Sequence, residues 1–211
     1  MPRLTLPEIL ASPTATYDEA VRFFRGKGIM NETLRRLAAD LDKAAIDYTV
    51  IGAIALNQHG YQRMTVDIDI LLSPEGLQRF HEKCVGRGYR PAFEGAQRKF
   101  RAVAANVPLE VVVSGEYPGD GKPKEISFPQ PQDAFIIIDG VKTLPLETLI
   151  ELKIASGLTG AGRLKDLADV QELIRLKRLP ASFTDQLAPY VRDKFLELQR
   201  DVAVTFENEE D

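Results

Sequence analysis

The sequence contains one cysteine, Cys84, so no disulfide forms within the chain and no cysteine-built zinc site exists. Long hydrophobic runs are missing too. No stretch approaches a membrane span, and no uninterrupted apolar segment follows Met1, so the expectation is a cytoplasmic protein without a membrane partner. Positive charge is not in excess: 27 Lys and Arg stand against 31 Asp and Glu, a net charge of −4. That balance argues against broad electrostatic binding to nucleic acid and leaves room only for a local basic patch. Internal repeats and low-complexity segments are also absent. What is present, 211 residues with 44% hydrophobic and 27% charged side chains, describes one sizeable globular domain or one domain with a helical appendage.

The chain is organised around Tyr48 to Leu72. Tyr48 to Ile51 is rich in strand formers and stops at Gly52. Ala53 to Gln58 is helix-friendly, with Gly60 as its stop. Val66 to Leu72 then alternates apolar residues with Asp67 and Asp69. On a strand those two carboxylates project from one face, with Val66, Ile68 and Ile70 turned to the core. Two readings stand. The pair is the wet face of an edge strand, or it holds a hard divalent cation that neutralises both charges. Gly52, just ahead of a helix start, permits close approach of a phosphate to free N–H groups.

Around this centre, Met1 to Thr16 reads as an arm and Tyr17 to Arg25 as a short helix. Asn31 to Ile46 reads as an amphipathic helix capped by Asn31, with Leu34, Leu37, Ala38, Leu41 and Ala45 on its stripe. Ser73-Pro74-Glu75 opens another helix, whose His81 reads as a satisfied semi-buried histidine. Gln97–Ala104 and Pro108–Ser114 read as strands joined at Asn106-Val107. A lone Glu110 in the second is either a solvent-facing strand end or a third carboxylate beside the aspartates. Gly115 to Pro131 is a long loop next to that carboxylate, and Asp139-Gly140 marks a hairpin. Pro145 opens a helix whose buried stripe includes Lys153, either snorkelling to the surface or serving the site. Arg163 to Arg178 is a further helix. Its Asp166 and Asp169 share a face, as helix-start electrostatics or as partners of a lysine, Lys165 pairing with Asp169 among the options. Phe183 to Asp201 is a last helical stretch interrupted near Pro189, and Glu207 to Asp211 a frayed acidic tail.

The run Gly60-Tyr61-Gln62-Arg63-Met64-Thr65-Val66-Asp67-Ile68-Asp69, with Gly52 upstream, resembles the nucleotidyltransferase superfamily signature in its AbiEii-like, toxin-type form. Leu149–Ala155 resembles that branch's L-x-x-L-K-x-A element, and Arg163–Asp169 its R-x-K-D-x-x-D element. The resemblance implies an α+β fold: a nucleotidyltransferase-like mixed β-sheet flanked by helices over 31–144, a preceding arm and short helix over 1–30, and a helical region over 145–211. It implies transfer of a nucleoside monophosphate from an NTP to an acceptor hydroxyl. Asp67, Asp69 and Glu110 would be metal-binding and catalytic. Gly52, Ala53, Arg63, Lys153 and Lys165 would bind nucleotide, with Thr65, Arg163, Asp166 and Asp169 in support. Mg²⁺, or Mn²⁺ in its place, would be the cofactor. A tRNA or protein acceptor and an antitoxin partner come with the toxin branch. Ala53 stands where the family has Gly or Ser, and Glu110 where it has Asp. The alternative is therefore a catalytically inactive nucleotide- or partner-binding protein of the same fold.

Overall fold

The structure, a computed structural model, describes residues 4–209. Helix α1 (Leu6–Leu10) opens on Thr5, whose N–H and hydroxyl both donate to the Glu8 carboxylate. Helix α2 (Pro13–Phe24) follows a serine cap: Ser12 Oγ accepts from the Ala15 N–H at 3.3 Å, and Pro13 fills the first turn. The stretch read as an arm to Thr16 thus carries two helix starts. Helix α3 (Ile29–Lys43) begins two residues before its expected cap. Asn31 lies inside its first turn, and Asn31 Oδ1 accepts from the Gly28 N–H at 3.1 Å. Leu34, Leu37, Ala38 and Leu41 form the buried stripe, and Ala45, at a φ of 54°, lies beyond the helix end.

Helices α4 (Gly52–Gln58) and α5 (Pro74–Lys83) alternate with strands β1 (Tyr48–Val50), β2 (Ile68–Leu72) and β3 (Tyr89–Pro91). Strands β4 (Lys99–Ala102), β5 (Val107–Val113), β6 (Ile136–Ile138) and β7 (Val141–Thr143) complete one seven-stranded sheet, ordered β3-β4-β5-β2-β1-β7-β6. The sheet is mixed, with β2 parallel to β5 and antiparallel to β1. The β6–β7 hairpin turns at Asp139-Gly140, both at positive φ. Helices α6 (Leu146–Gly157), α7 (Leu164–Lys177) and α8 (Pro189–Glu209) follow, after Pro145 at the N-cap of α6. The last helical stretch is interrupted just ahead of Pro189: a 3-10 helix over Ala181–Gln186 ends at the extended Leu187, and α8 starts at Pro189. Of the expected acidic tail Glu210 and Asp211 lie outside the described residues. The chain therefore has an α+β fold with a mixed sheet flanked by helices. Among the described residues no helix is long and apolar enough to cross a membrane.

Two cores, one on each face, set the direction of the side chains in the central strands β2 and β5. Ile68, Ile70 and Leu72 of β2, with Val107, Leu109 and Val111 of β5, pack into the core that holds α3 and Phe80 of α5. Leu71 and Val112 face the other way, onto Ile150, Leu173 and Phe195 of the C-terminal helices. Because side chains alternate along a strand, Asp69 and Glu110 fall on the same face as Leu71 and Val112. Each buried Ile or Leu is worth roughly 1.5–3 kcal/mol. A one-residue slip of β2 would turn all three out of the first core and put Asp69 into it, so the carboxylate's direction is fixed by its neighbours. Val66 is not among them. It lies in the bend before β2 and is 43% exposed, because the strand begins at Ile68.

Helices α6 to α8 also share their core with Ile51, Ala55 and Leu56 of the central unit. The chain's division near residue 144 is thus crossed by continuous packing.

Candidate active site

Asp69 and Glu110 are direct partners across the parallel strands β2 and β5. They line a cleft of about 420 Å³ together with Gly52, Lys153, Ser156 and Asp166. Asp67 stands two residues before Asp69, in the bend ahead of the strand, where its carboxylate accepts from Thr65 Oγ1. Glu110 is half exposed and lies 3.5 Å from Lys99 Nζ.

Glycine at position 52 is required by a contact within the chain. Its φ is +64°, and a Cβ at this position would overlap the Asp69 carboxylate. The group that approaches its backbone closely is therefore Asp69. The Ile51 N–H donates to the Asp69 carbonyl at 3.0 Å, which holds the two segments together. Helix α4 begins at Gly52 with no side-chain cap, so among the described residues its first-turn N–H groups have no capping side chain. Ala53 is buried in that turn and offers only its backbone.

The electrostatics are anionic. The Asp69 carboxyl is pushed up to about 7, first by burial and then by the charges of Asp67 and Glu110, with Lys153 and Arg63 only partly opposing. Such a cluster is relieved by a proton or by a cation. Among the described residues, no three or more His, Cys, Asp or Glu side chains form a group that could hold a metal ion by themselves. The donor set fits a Mg²⁺ that takes one or two carboxylates and completes its shell with substrate phosphate oxygens. It does not amount to a preformed three-carboxylate centre.

Across the cleft, α6 and α7 carry a buried charge network. Lys153 Nζ donates to Asp166 and Asp169, each at 2.7 Å, and Ser156 Oγ donates to Asp166 at 2.7 Å. Asp169, only 3% exposed, also accepts at both carboxylate oxygens from one guanidinium nitrogen, Arg63 Nη1, at 2.7 and 2.8 Å. Lys153 is thus held rather than snorkelling. The same network ties the segment that enters Asp67 and Asp69 to the C-terminal helices. Arg163 reaches over the cleft rim, donating to the Gly119 carbonyl at 3.1 Å. Lys165 is exposed and does not line the cleft. Asp169 is turned to Arg63 and Lys153 instead.

Several contributors are not evident from sequence pattern. Asn57 holds the Arg63 segment from below: its Oδ1 accepts from the Arg63 N–H and its Nδ2 donates to the Arg63 carbonyl. Arg98 and Glu116 line the cleft and pair through two bonds of 2.7 Å. Ser156 stands one helical turn after Lys153, a spacing that marks a shared face. His81 is outside the site, its Nε2 2.8 Å from the Gln97 carbonyl.

No family model matches the chain, and no curated protein matches it. Solved structures with a similar arrangement include the antibiotic-resistance factor ANT(2'')-Ia in solution, 14% identical over 85% of this chain and 94% of that one, at a TM-score of 0.49. The same protein in complex with adenylyl-2''-tobramycin is 16% identical over 80% and 93%, at 0.47. JHP933 from Helicobacter pylori is 14% identical over 85% and 91%, at 0.44. Likenesses this distant carry nothing about the activity of this chain.

Proposed function

We propose that this protein is a divalent-metal-dependent nucleotidyltransferase, moving a nucleoside monophosphate from an NTP to an acceptor hydroxyl. The observation that carries the reading is the pairing of Asp69 with Glu110 on adjacent strands, beside Asp67, facing Lys153 across one cleft. Three carboxylates would otherwise repel a triphosphate, and a cation held by them would resolve that conflict. Asp67 and Asp69 are the residues that would hold Mg²⁺, or Mn²⁺, with Glu110 beside them. Bound there, the metal would neutralise phosphate charge and polarise the reacting phosphoryl group.

The chain's own residues do the rest. Lys153 faces the phosphates from the opposite wall, with Arg163 at the rim. Gly52 and Ala53 contribute backbone N–H groups. Arg63, Asp166 and Asp169 position Lys153 and the segment bearing the aspartates, with Thr65 orienting Asp67. The acceptor oxygen bonds the α-phosphorus while the bond to the bridging oxygen breaks. Pyrophosphate leaves, and the hydroxyl proton passes to Glu110.

The acceptor class we attach to this reading is a hydroxyl of tRNA or of a protein, with an antitoxin as partner if induced expression arrests growth. The alternative is a protein that binds nucleotide or a partner without turnover. It is favoured by Ala53, which has no hydroxyl to offer a phosphate, and by the shortness of α4, seven residues. Incubation with labelled NTPs, Mg²⁺ and bulk RNA or protein separates the two. Release of pyrophosphate with label on an acceptor is the expected result. Nucleotide binding without either product would establish the inactive alternative.

A further inference from the structure

A second cavity of about 440 Å³ lies between the end of α2, helix α3, helix α4 and the β6–β7 hairpin. It is as large as the cleft and falls within the size range of small-ligand sites. None of the three acids lines it. Its chemistry is the reverse of the cleft's. Arg25 and Arg35 face it against one carboxylate, Asp139. Arg25 is exposed, and among the described residues its side chain donates to no protein acceptor. Arg35 makes one bond, to the Gly26 carbonyl at 3.0 Å. Phe24, 40% exposed, also lines the cavity, and its ring is steadied edge-on by Phe23 at 5.2 Å between centroids. Amides of Gln58 and Gln62 complete the wall, though Gln58 Oε1 already accepts from Thr143 Oγ1 at 2.6 Å, which leaves its NH2 group to a ligand.

We infer that this cavity is a binding site for a nucleoside monophosphate, distinct from the proposed triphosphate cleft. Phe24 offers a face for a flat ring, the glutamines offer donors and acceptors to a base edge, and the arginines offer charge to one phosphate. Because two arginines outweigh the single carboxylate of Asp139, binding of one phosphate needs no divalent metal. The site also touches the machinery. Asn57 lines the cavity and is the residue that holds the Arg63 backbone, four positions before Asp67.

Calorimetric titration of AMP, GMP, CMP and UMP in excess EDTA tests the inference. At least one should bind with a dissociation constant between about 10 µM and 1 mM. Its affinity should fall at least tenfold in Arg25→Ala/Arg35→Ala, and fall also in Phe24→Leu. It should persist in Asp69→Asn, in which the proposed catalytic site is destroyed. Failure of the transferase reading therefore leaves this result standing, and the reverse holds too. The inference is overturned by absence of binding, by binding that requires Mg²⁺ or Asp69, or by affinity unchanged in the arginine variant. It is also overturned if inorganic phosphate binds as tightly as the nucleotide.

Discussion

An Asp69→Asn variant is expected to be more stable than the wild type at pH 8 and to lose transferase activity by roughly 10³-fold or more. The stability change follows from the carboxyl pushed up to about 7 from an ordinary 3.8. In the unfolded chain this group releases its proton near pH 4, while in the fold it keeps it until about 7. Between those values the folded state binds the extra proton, so raising the pH weakens the wild-type fold, and above about 7 the penalty is constant. Its full size is roughly 4 kcal/mol, of which asparagine, itself polar and buried, should recover about 2–4 kcal/mol. For a chain of this length that is a rise of roughly 5–10 °C in Tm at pH 8. Below pH 4 both forms are neutral and the two melting curves should converge. Thermal melts across pH 4 to 8 check this. Equal Tm differences at both ends of the range would show that Asp69 is not destabilised by its charge. The same proton predicts that Mg²⁺·NTP binds more tightly as pH rises through about 7, since binding must displace it.

Removing Asp169 should act in the opposite sense. Asp169→Ala strands the Arg63 guanidinium and takes one of two carboxylates from Lys153, all in a largely buried setting. Breaking a buried pair in this way costs about 3–5 kcal/mol, or roughly 10 °C in Tm. The companion variant Asp166→Ala should lose less, because Lys153 retains Asp169 and Arg63 is untouched. Denaturant unfolding of both variants makes the comparison. An Asp169→Ala protein as stable as the wild type would mean that the network does not join the aspartate segment to the C-terminal helices.

The strand carrying the acids was legible because its alternation is local. Ile68, Ile70 and Leu72 need one core, so Asp69 had to face the other side, and Glu110 follows from the same rule on β5. The Asp139-Gly140 hairpin and the helix after Pro145 were legible from turn and breaker chemistry. Contacts between distant segments were not. Arg63 and Asp169 are 106 residues apart, and no periodicity in either segment announces the pair. The contact at Gly52 was not legible for the same reason: only the packed structure reveals that the Asp69 carboxylate occupies its Cβ position. Lys165 shows the limit of helix-face reasoning. One residue before Asp166 and four before Asp169, it nevertheless points outward once both aspartates turn toward Lys153. The early helices were underestimated because their caps, Thr5 and Ser12, sit in a proline-rich segment that reads as loop.

The measurement that bears most directly on the central claim is titration of a non-hydrolysable NTP into the protein with and without Mg²⁺, by calorimetry. The account predicts strong mutual dependence. Metal alone should bind weakly, because the carboxylates do not form a closed cage, and nucleotide alone should bind weakly at the cleft, because they repel it. Together they should bind at least tenfold more tightly than either alone, and Asp67→Asn/Asp69→Asn should remove that gain. Nucleotide binding at the cleft that ignores both the metal and the two aspartates would contradict it.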